Sequence, residues 1–361
     1  MKYHARALRL RYPAVIVFSL FAACSSHSPA SPSGSNGSNA GGVPGFSVAA
    51  PAGGIAQFTV MPVDDSIPDS LTALGNLNPP GHTIPTDHVY FYQGPLSTLN
   101  PFGSGAPRQV RAPTTGAVLQ MIPGSLGEYK IDFIVTPTFQ YYFDHVVPRA
   151  GLAVGQLVNA GDIVGTSNET LDFGAFDYTT TLSGFVTPSR YPDQTLHCVS
   201  PWKYFVEPLR SRLYSLVYRA PTAPDRDGKI DDDIPGRLAG AWYDPSVPST
   251  GGDASWGPTS WPKSLVFGYD YYDPSQVRIA IGGTIATAGV WKIDSSAPLP
   301  ANVSVATGKA VYRLLSPFDQ FAQWGVMAVQ MVSDTSIKVE VFQGNALTTA
   351  DFDGNAFTWV R

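Results

Sequence analysis

Between residues 139 and 178 glycine returns every four to six positions, at Gly151, Gly155, Gly161 and Gly165, with only short aliphatic segments between. Few chains can be helical there: an interior glycine costs a helix about 1 kcal/mol, and the apolar runs are too short to develop a 3.6-residue period. The spacing suits strands joined by tight turns. On either side lie two strand-like runs, FQYYFDHVVP and LDFGAFDY, which carry His145 and the carboxylates Asp172 and Asp177. The rest of the chain leans the same way. Its 361 residues include 35 Gly and 32 Pro but only 14% charged side chains, which predicts a mainly β, loop-rich protein. The length allows two domains. A net charge of −5 supplies no basic footprint, so nucleic acid is excluded as a partner.

The first 24 residues read as a signal peptide. Lys2, Arg6, Arg9 and Arg11 form a positive start, and residues 13–23 an apolar stretch too short to span a bilayer. LFAAC at positions 20–24 resembles a bacterial lipobox, with Phe21 in place of the usual Leu. The resemblance implies that Cys24 is lipidated and anchors the chain to a membrane. Ser25, rather than Asp, implies an outer-membrane or periplasm-facing lipoprotein in a Gram-negative envelope. Residues 25–45, rich in Ser, Gly, Asn and Pro with almost no charge, form a flexible tether. With Cys24 committed, Cys198 is the one other cysteine, and a buried, inert thiol is expected.

Beyond the tether, residues 46–219 read as a first β domain. Strands are expected at 55–61, at 88–93 (HVYFYQ), as two runs around Thr115-Gly116, and as a hairpin of 128–136 with 139–147 whose turn contains Pro137. The proline-rich loop NLNPPGHTIP at 76–85 excludes helix. One connecting helix is expected over 201–219, kinked or broken at Pro208. Residues 220–235, APTAPDRDGKIDDDIP, form the boundary; Asp225, Asp227 and Asp231 there suggest either a calcium loop or a solvated acidic linker. Residues 236–361 contain eight short alternating strands, predicting an antiparallel β-barrel or sandwich. Gly240-Ala241-Trp242 and the final Arg361 resemble the Gly-x-Trp and closing arginine of lipocalins, hence a lipocalin-like barrel.

Chemistry concentrates in the first domain, which holds His82, His88, His145 and His197. His82, Asp87 and His88 occupy a proline-stiffened loop entering a strand, where ligands could be held at little ordering cost. Asp172 and Asp177 alternate with aromatic residues and are expected together on the face opposite Phe173, provided the strand stays regular to 177. His197 and Cys198, adjacent on an extended segment, should point apart.

The order of loop His/Asp, strand His, Gly-rich turn and final strand resembles the lysostaphin and LytM-type zinc endopeptidases of bacterial cell walls. RAPTTGAVLQ is similar to their A-x-x-x-G-x-V strand, YYFDHV to Y-x-H-L, and VGQLVNAGDIVGTSN to V-x-x-G-x-x-V-x-x-G-x-x-I-G; TLDFG stands where they carry H-L-H-F. The similarity covers roughly residues 75–178. It implies zinc as cofactor, His82, Asp87, His88 and Asp172 as candidate metal ligands, and His145 as the catalytic histidine. Departures fall on the chemistry: His82 to Asp87 is one residue longer than the family's His-x-x-x-Asp pair, and Thr170 and Asp172 stand at its two final histidines. Two carboxylates lower a metal's Lewis acidity, and the histidine missing at 170 is a general acid/base worth roughly 10²–10⁴-fold.

Three functions follow. The first is a degenerate peptidase-like domain that binds peptidoglycan or an envelope partner without efficient hydrolysis. The second is an active metallo-endopeptidase with a rearranged set of His82, His88, His145 and Asp172. The third is a structural or ligand-binding envelope lipoprotein without metal, in which the histidines are satisfied core or turn residues.

Overall fold

The computed structural model describes residues 47–63, 70–92, 107–168, 170–250, 259–317 and 319–361. The signal peptide, Cys24 and nearly all of the tether lie outside the described residues. Ten strands build the first domain: β1 (Ser70–Leu71), β2 (His88–Tyr92), β3 (Arg108–Arg111), β4 (Gly116–Pro123), β5 (Tyr129–Thr136), β6 (Phe139–Pro148), β7 (Leu157–Val158), β8 (Ile163–Ser167), β9 (Leu171–Asp177) and β10 (Cys198–Val199). The main path is antiparallel in the order β1-β2-β9-β6-β5-β4-β7. β3 and β8 extend from the end of β6, and β10 pairs with the end of β9. The hairpin expected around Pro137 is β5–β6.

Strand alternation divides this sheet into an apolar and a polar face. Val89, Phe91, Ile131, Phe133, Tyr141, Phe143, Phe173 and Ala175 are buried on one side, where Phe58, Trp202 and Phe205 cover them. The Phe58 ring lies 5.3 Å from Phe173 and 5.1 Å from Phe205, and Trp202 lies 5.3 Å from Phe91. Each such fully buried ring contributes about 1.5–3 kcal/mol.

Residues 55–61 do not form the expected strand. Phe58 makes an isolated parallel bridge with Phe205 and inserts its ring into the core. The expected helix is divided as Pro208 requires, into a 3₁₀ turn (Pro201–Tyr204) and α1 (Leu209–Leu216). The Tyr204 carbonyl released by that break accepts the Phe58 N–H at 2.8 Å.

The second domain is a closed barrel, not a sandwich: β11 (Gly240–Tyr243), β12 (Ser264–Tyr269), β13 (Val277–Ile281), β14 (Gly289–Ile293), β15 (Lys309–Leu315), β16 (Gln323–Ser333), β17 (Ser336–Gln343) and β18 (Phe357–Val360), with β18 pairing back to β11 at Tyr243↔Val360. Trp242, Ile279, Tyr312, Met327, Val339 and Trp359 fill it. The Arg361 guanidinium lies 3.7 Å over the Trp242 ring and donates to the carbonyls of Ile234 and Arg237, closing the lower end.

Residues 221, 222, 224, 225 and 229 of the 220–235 segment are exposed, and its later part is tied to both domains. Asp231 is buried and accepts the Gly184 N–H at 2.8 Å, and Asp233 accepts the N–H groups of Val186 and Ala241. Asp225 Oδ1 caps its own turn by accepting from Asp227 and Gly228. The two domains also meet directly. Arg190 donates to the carbonyls of Val247 and Pro248, and Tyr243 donates to Tyr191 at 2.7 Å. Among the described residues no helix is long and apolar enough to cross a membrane.

Candidate functional site

The polar face of the sheet carries the site as two cross-strand rows. Register pairs Gln120 with Asp132, Asp132 with Tyr142, Tyr142 with Gly174 and Gly174 with His88, so five strands contribute to one line. One step along, Tyr90 pairs with Asp172 and Asp172 with Asp144. Gly174 makes the first row possible. A Cβ there would stand 2.0 Å from the Tyr142 ring, which crosses β9 through the space the missing side chain leaves. The ring thereby carries its hydroxyl to Asp87 Oδ1, at 2.8 Å, and to His88 Nδ1, at 3.0 Å.

His88 is the hub. Its Nδ1 lies 3.1 Å from Asp87 Oδ1, and its Nε2 lies 2.9 Å from the Tyr90 hydroxyl and 3.3 Å from Asp172 Oδ2. The same Asp172 oxygen is 3.7 Å from His145 Nε2, whose Nδ1 is 3.1 Å from Glu128. His145 reaches this point through a β-bulge. Tyr129↔Val146 and Ile131↔Phe143 bracket the irregularity, and His145 itself has φ +62°, backbone that costs a non-glycine residue about 1–3 kcal/mol. Asp144 Oδ1 accepts the His145 N–H at 2.8 Å and holds the turn. His82 arrives on the 76–86 loop, which closes on itself through reciprocal hydrogen bonds between the backbones of Asn78 and His82. Its ring stands edge-on to His88, centroids 5.2 Å apart.

All five residues singled out from the sequence, His82, Asp87, His88, His145 and Asp172, line one cavity of about 80 Å³. Asp177 does not join them. It stands five positions after Asp172, an odd offset, so a regular strand puts it on the other face, where Tyr204 donates to it at 2.6 Å. His197 turns to the Thr180 carbonyl, and the buried Cys198 thiol, pushed well up by desolvation, donates to the Asp87 carbonyl.

Electrostatics sort the histidines into two kinds. Burial, reinforced by repulsion from His88 and His145, lowers His82 to about 3, leaving it neutral. Burial alone would also lower His88 and His145. For His88 the carboxylates of Asp172 and Asp87 outweigh it and raise the pKa. For His145, Asp172 and Glu128 do the same, lifting it to about 10. Asp172 is raised to about 6 by desolvation, against the pull of both imidazoles. Both imidazoles thus share one buried carboxylate, which favours their protonated forms.

The side chains as placed are not grouped as a zinc site. A metal needs a neutral imidazole with a lone pair facing it, and both ring nitrogens of His88 already contact oxygen. His145 is likewise spanned by Glu128 and Asp172. Among the described residues no three His, Cys, Asp or Glu side chains are grouped to hold a metal ion, so the expected ligand set His82, Asp87, His88 and Asp172 is present in the cavity but not assembled as ligands. The cleft presents carboxylate and phenol oxygens.

Several contributors were not singled out from the sequence: Tyr90, Tyr142, Asp144, Glu128, Lys130, Thr195 and Trp261. Tyr90 was within reach of sequence reasoning, since it follows His88 by two and shares its face. Tyr142 was signalled by the glycine in LDFGAFD, an odd residue for a strand interior. Lys130, 4.1 Å over the Tyr142 ring and paired with Asp132, depends on the β5–β6 register. Trp261 comes from the barrel and had no sequence signal.

No family model matches the sequence, and no curated protein matches it. Solved structures with local likeness include Helicobacter pylori Csd3, at 17% identity over 34% of this chain and 32% of that one, TM-score 0.26. A zinc-containing peptidase from Vibrio cholerae shows 17% identity over 34% and 37%, TM-score 0.26. The catalytic domain of lysostaphin from Staphylococcus simulans shows 18% over 30% and 77%, TM-score 0.22. This chain thus spans about a third of the length of the first two. Likeness of this size says nothing of this chain's chemistry.

Proposed function

We propose that this chain is a lipid-anchored cell-envelope protein whose first domain keeps a peptidase-like framework and uses it to bind peptidoglycan or an envelope partner, without efficient hydrolysis. The observation that carries the reading is the state of His88. A histidine with one nitrogen on Asp87 and the other between Tyr90 and Asp172 has both nitrogens engaged by its neighbours, which favours a binding role over a hydrolytic one. The loop of 76–86 and the segments around Phe185 and Thr195 leave a cleft over the polar face of the sheet, which suits recognition of a small polar group. The lipobox-like leader supplies the anchor and the tether the reach.

The test uses the full chain released from membranes in detergent. Metal content by mass spectrometry and sedimentation with purified sacculi are measured together with analysis of soluble digestion products. The expected result is metal-free protein that co-sediments with sacculi and releases nothing. Stoichiometric zinc that disappears in Asp172→Ala, together with cross-bridge cleavage, would replace this reading by that of an active endopeptidase. Neither zinc nor sedimentation would leave a structural lipoprotein.

A further inference from the structure

The polar face of the sheet runs on past the cavity, along β2, into a row of tyrosines. Tyr90, whose hydroxyl meets His88, shares its face with Tyr92 two residues on, and the two rings are stacked with centroids 5.8 Å apart. Beyond β1 the sheet is continued by the segment that follows α1. Leu71 pairs with Phe91 and is bridged in turn by Val217, and all three are buried on the apolar face. Tyr218, one residue further, therefore turns toward the face that carries Tyr90 and Tyr92. Its ring stacks on Tyr272 of the β12–β13 turn at 4.4 Å. Tyr271 stands within electrostatic reach of both sides: burial, with the Tyr92 phenol, Asp270 and the Tyr218 phenol, pushes its hydroxyl up. Exposure rises along the row, from 8% at Tyr90 to 45% at Tyr218.

The backbone of this edge is already engaged. The Tyr218 N–H donates to the Leu71 carbonyl at 2.7 Å, and Ala220 donates to the Tyr272 carbonyl at 2.8 Å, so addition of an extended peptide as a further strand is disfavoured. Charges at the barrel end are paired within the protein. Arg278 lies 2.8 Å from Asp270, and Arg219 lies 3.6 Å from Asp225. Such pairs present no field of one sign, which favours an uncharged ligand. Recognition then falls to the rings. A phenol offers a flat apolar face with a polar rim, and a pyranose matches it with a face of C–H bonds bordered by hydroxyls. Stacking on Tyr272 also holds the half-exposed Tyr218 ring in one orientation, so less side-chain freedom is lost on binding.

We propose that the tyrosine row is a binding site for an uncharged glycan chain, with Tyr218 and Tyr272 as the stacked platform at its exposed end. The row joins the two domains, since Tyr90, Tyr92 and Tyr218 belong to the first and Tyr271 and Tyr272 to the barrel. The barrel is then part of the site and not an appended module. This deepens the envelope-binding reading and rests on it for the source of the glycan, the sugar strand of peptidoglycan.

The full chain, in a detergent without a sugar headgroup, is titrated with chitotetraose and followed by saturation-transfer difference NMR, with tetra-alanine as the comparison ligand. Saturable binding of chitotetraose is expected, with transfer to its ring protons, and none of the peptide. Tyr218→Ala and Tyr272→Ala should each weaken binding roughly tenfold, the size of one lost aromatic anchor, whereas Tyr218→Phe, which keeps the ring, should bind within about twofold of the native chain. Circular dichroism establishes which variants fold; Tyr218, nearly half exposed, carries the test if Tyr272→Ala does not. Absence of saturable chitotetraose binding, binding of tetra-alanine instead, or unchanged binding in folded Tyr218→Ala would overturn the proposal. Chitotetraose binding lost in Tyr218→Ala, without sacculus sedimentation of the native chain, would keep this site and sink the envelope reading; sedimentation without chitotetraose binding would do the reverse.

Discussion

Replacing Gly174 by alanine should damage the site more than any other single added methyl. The new Cβ would stand 2.0 Å from Tyr142 Cε1 and 2.5 Å from Cζ, inside the range no real contact occupies. Neither partner can yield cheaply: Gly174 is paired on both sides, to His88 and to Tyr142, and the Tyr142 ring is stacked on Phe176 at 5.6 Å and covered by Lys130. Overpacking of this kind costs about 1–3 kcal/mol. A displaced ring also gives up its hydrogen bond to the Asp87 carboxyl, worth about 1.5–3 kcal/mol. Together the loss is about 2.5–6 kcal/mol, a large part of the roughly 5–15 kcal/mol that holds a typical domain folded.

Urea unfolding monitored by circular dichroism measures it, with Tyr142→Phe as the control that removes the hydroxyl without a clash. That control should cost about 1.5–3 kcal/mol. The mechanism itself is tested by the cycle with Tyr142→Ala. If the ring is what the methyl meets, Gly174→Ala should cost much less in the Tyr142→Ala background, a coupling of about 1–3 kcal/mol. A Gly174→Ala protein within about 0.5 kcal/mol of the native chain, or strict additivity in the cycle, would refute the account of how Tyr142 reaches His88.

Two further outcomes follow from the same structure. Because the His145 pKa is raised from 6.5 to about 10, its contribution to stability should be complete below about pH 6.5 and be lost as the pH rises through about 10. His145→Gln should flatten that alkaline decline in a pH series of urea midpoints, and an unchanged slope would contradict the ion pairs to Glu128 and Asp172. The acid limb is a poorer test, since His82, lowered to about 3, loses stability as pH falls while Asp172, raised to about 6, gains it. In the barrel, Arg361→Ala should cost about 2–4 kcal/mol, from a desolvated cation–π contact with Trp242 and charge-assisted bonds to two carbonyls. Arg361→Lys should recover only part of it, and full recovery would mean that charge alone, not the planar stack, closes the barrel.

Local pattern was sufficient wherever one strand or turn decides its own fate. The glycines at 151, 155 and 161 all take positive φ, as a run of tight turns demands. The eight short alternating segments after residue 236 became eight strands, because period-two burial requires nothing from distant sequence. The resemblance brought His82, Asp87, His88, His145 and Asp172 to notice, and all five are among the residues lining one cavity. What the linear pattern left open was register and closure. Barrel against sandwich depended on β18 returning to β11, and the fate of 55–61 on where Phe58 could bury its ring. The state of the site was beyond sequence for the same reason. Whether a histidine holds a metal or a proton is fixed by what faces its second nitrogen, and for His88 that is Asp87 on one side and Tyr90 with Asp172 on the other. Those atoms meet only because β2, β9 and β6 pair in one register, with Gly174 between them leaving room for Tyr142 to cross.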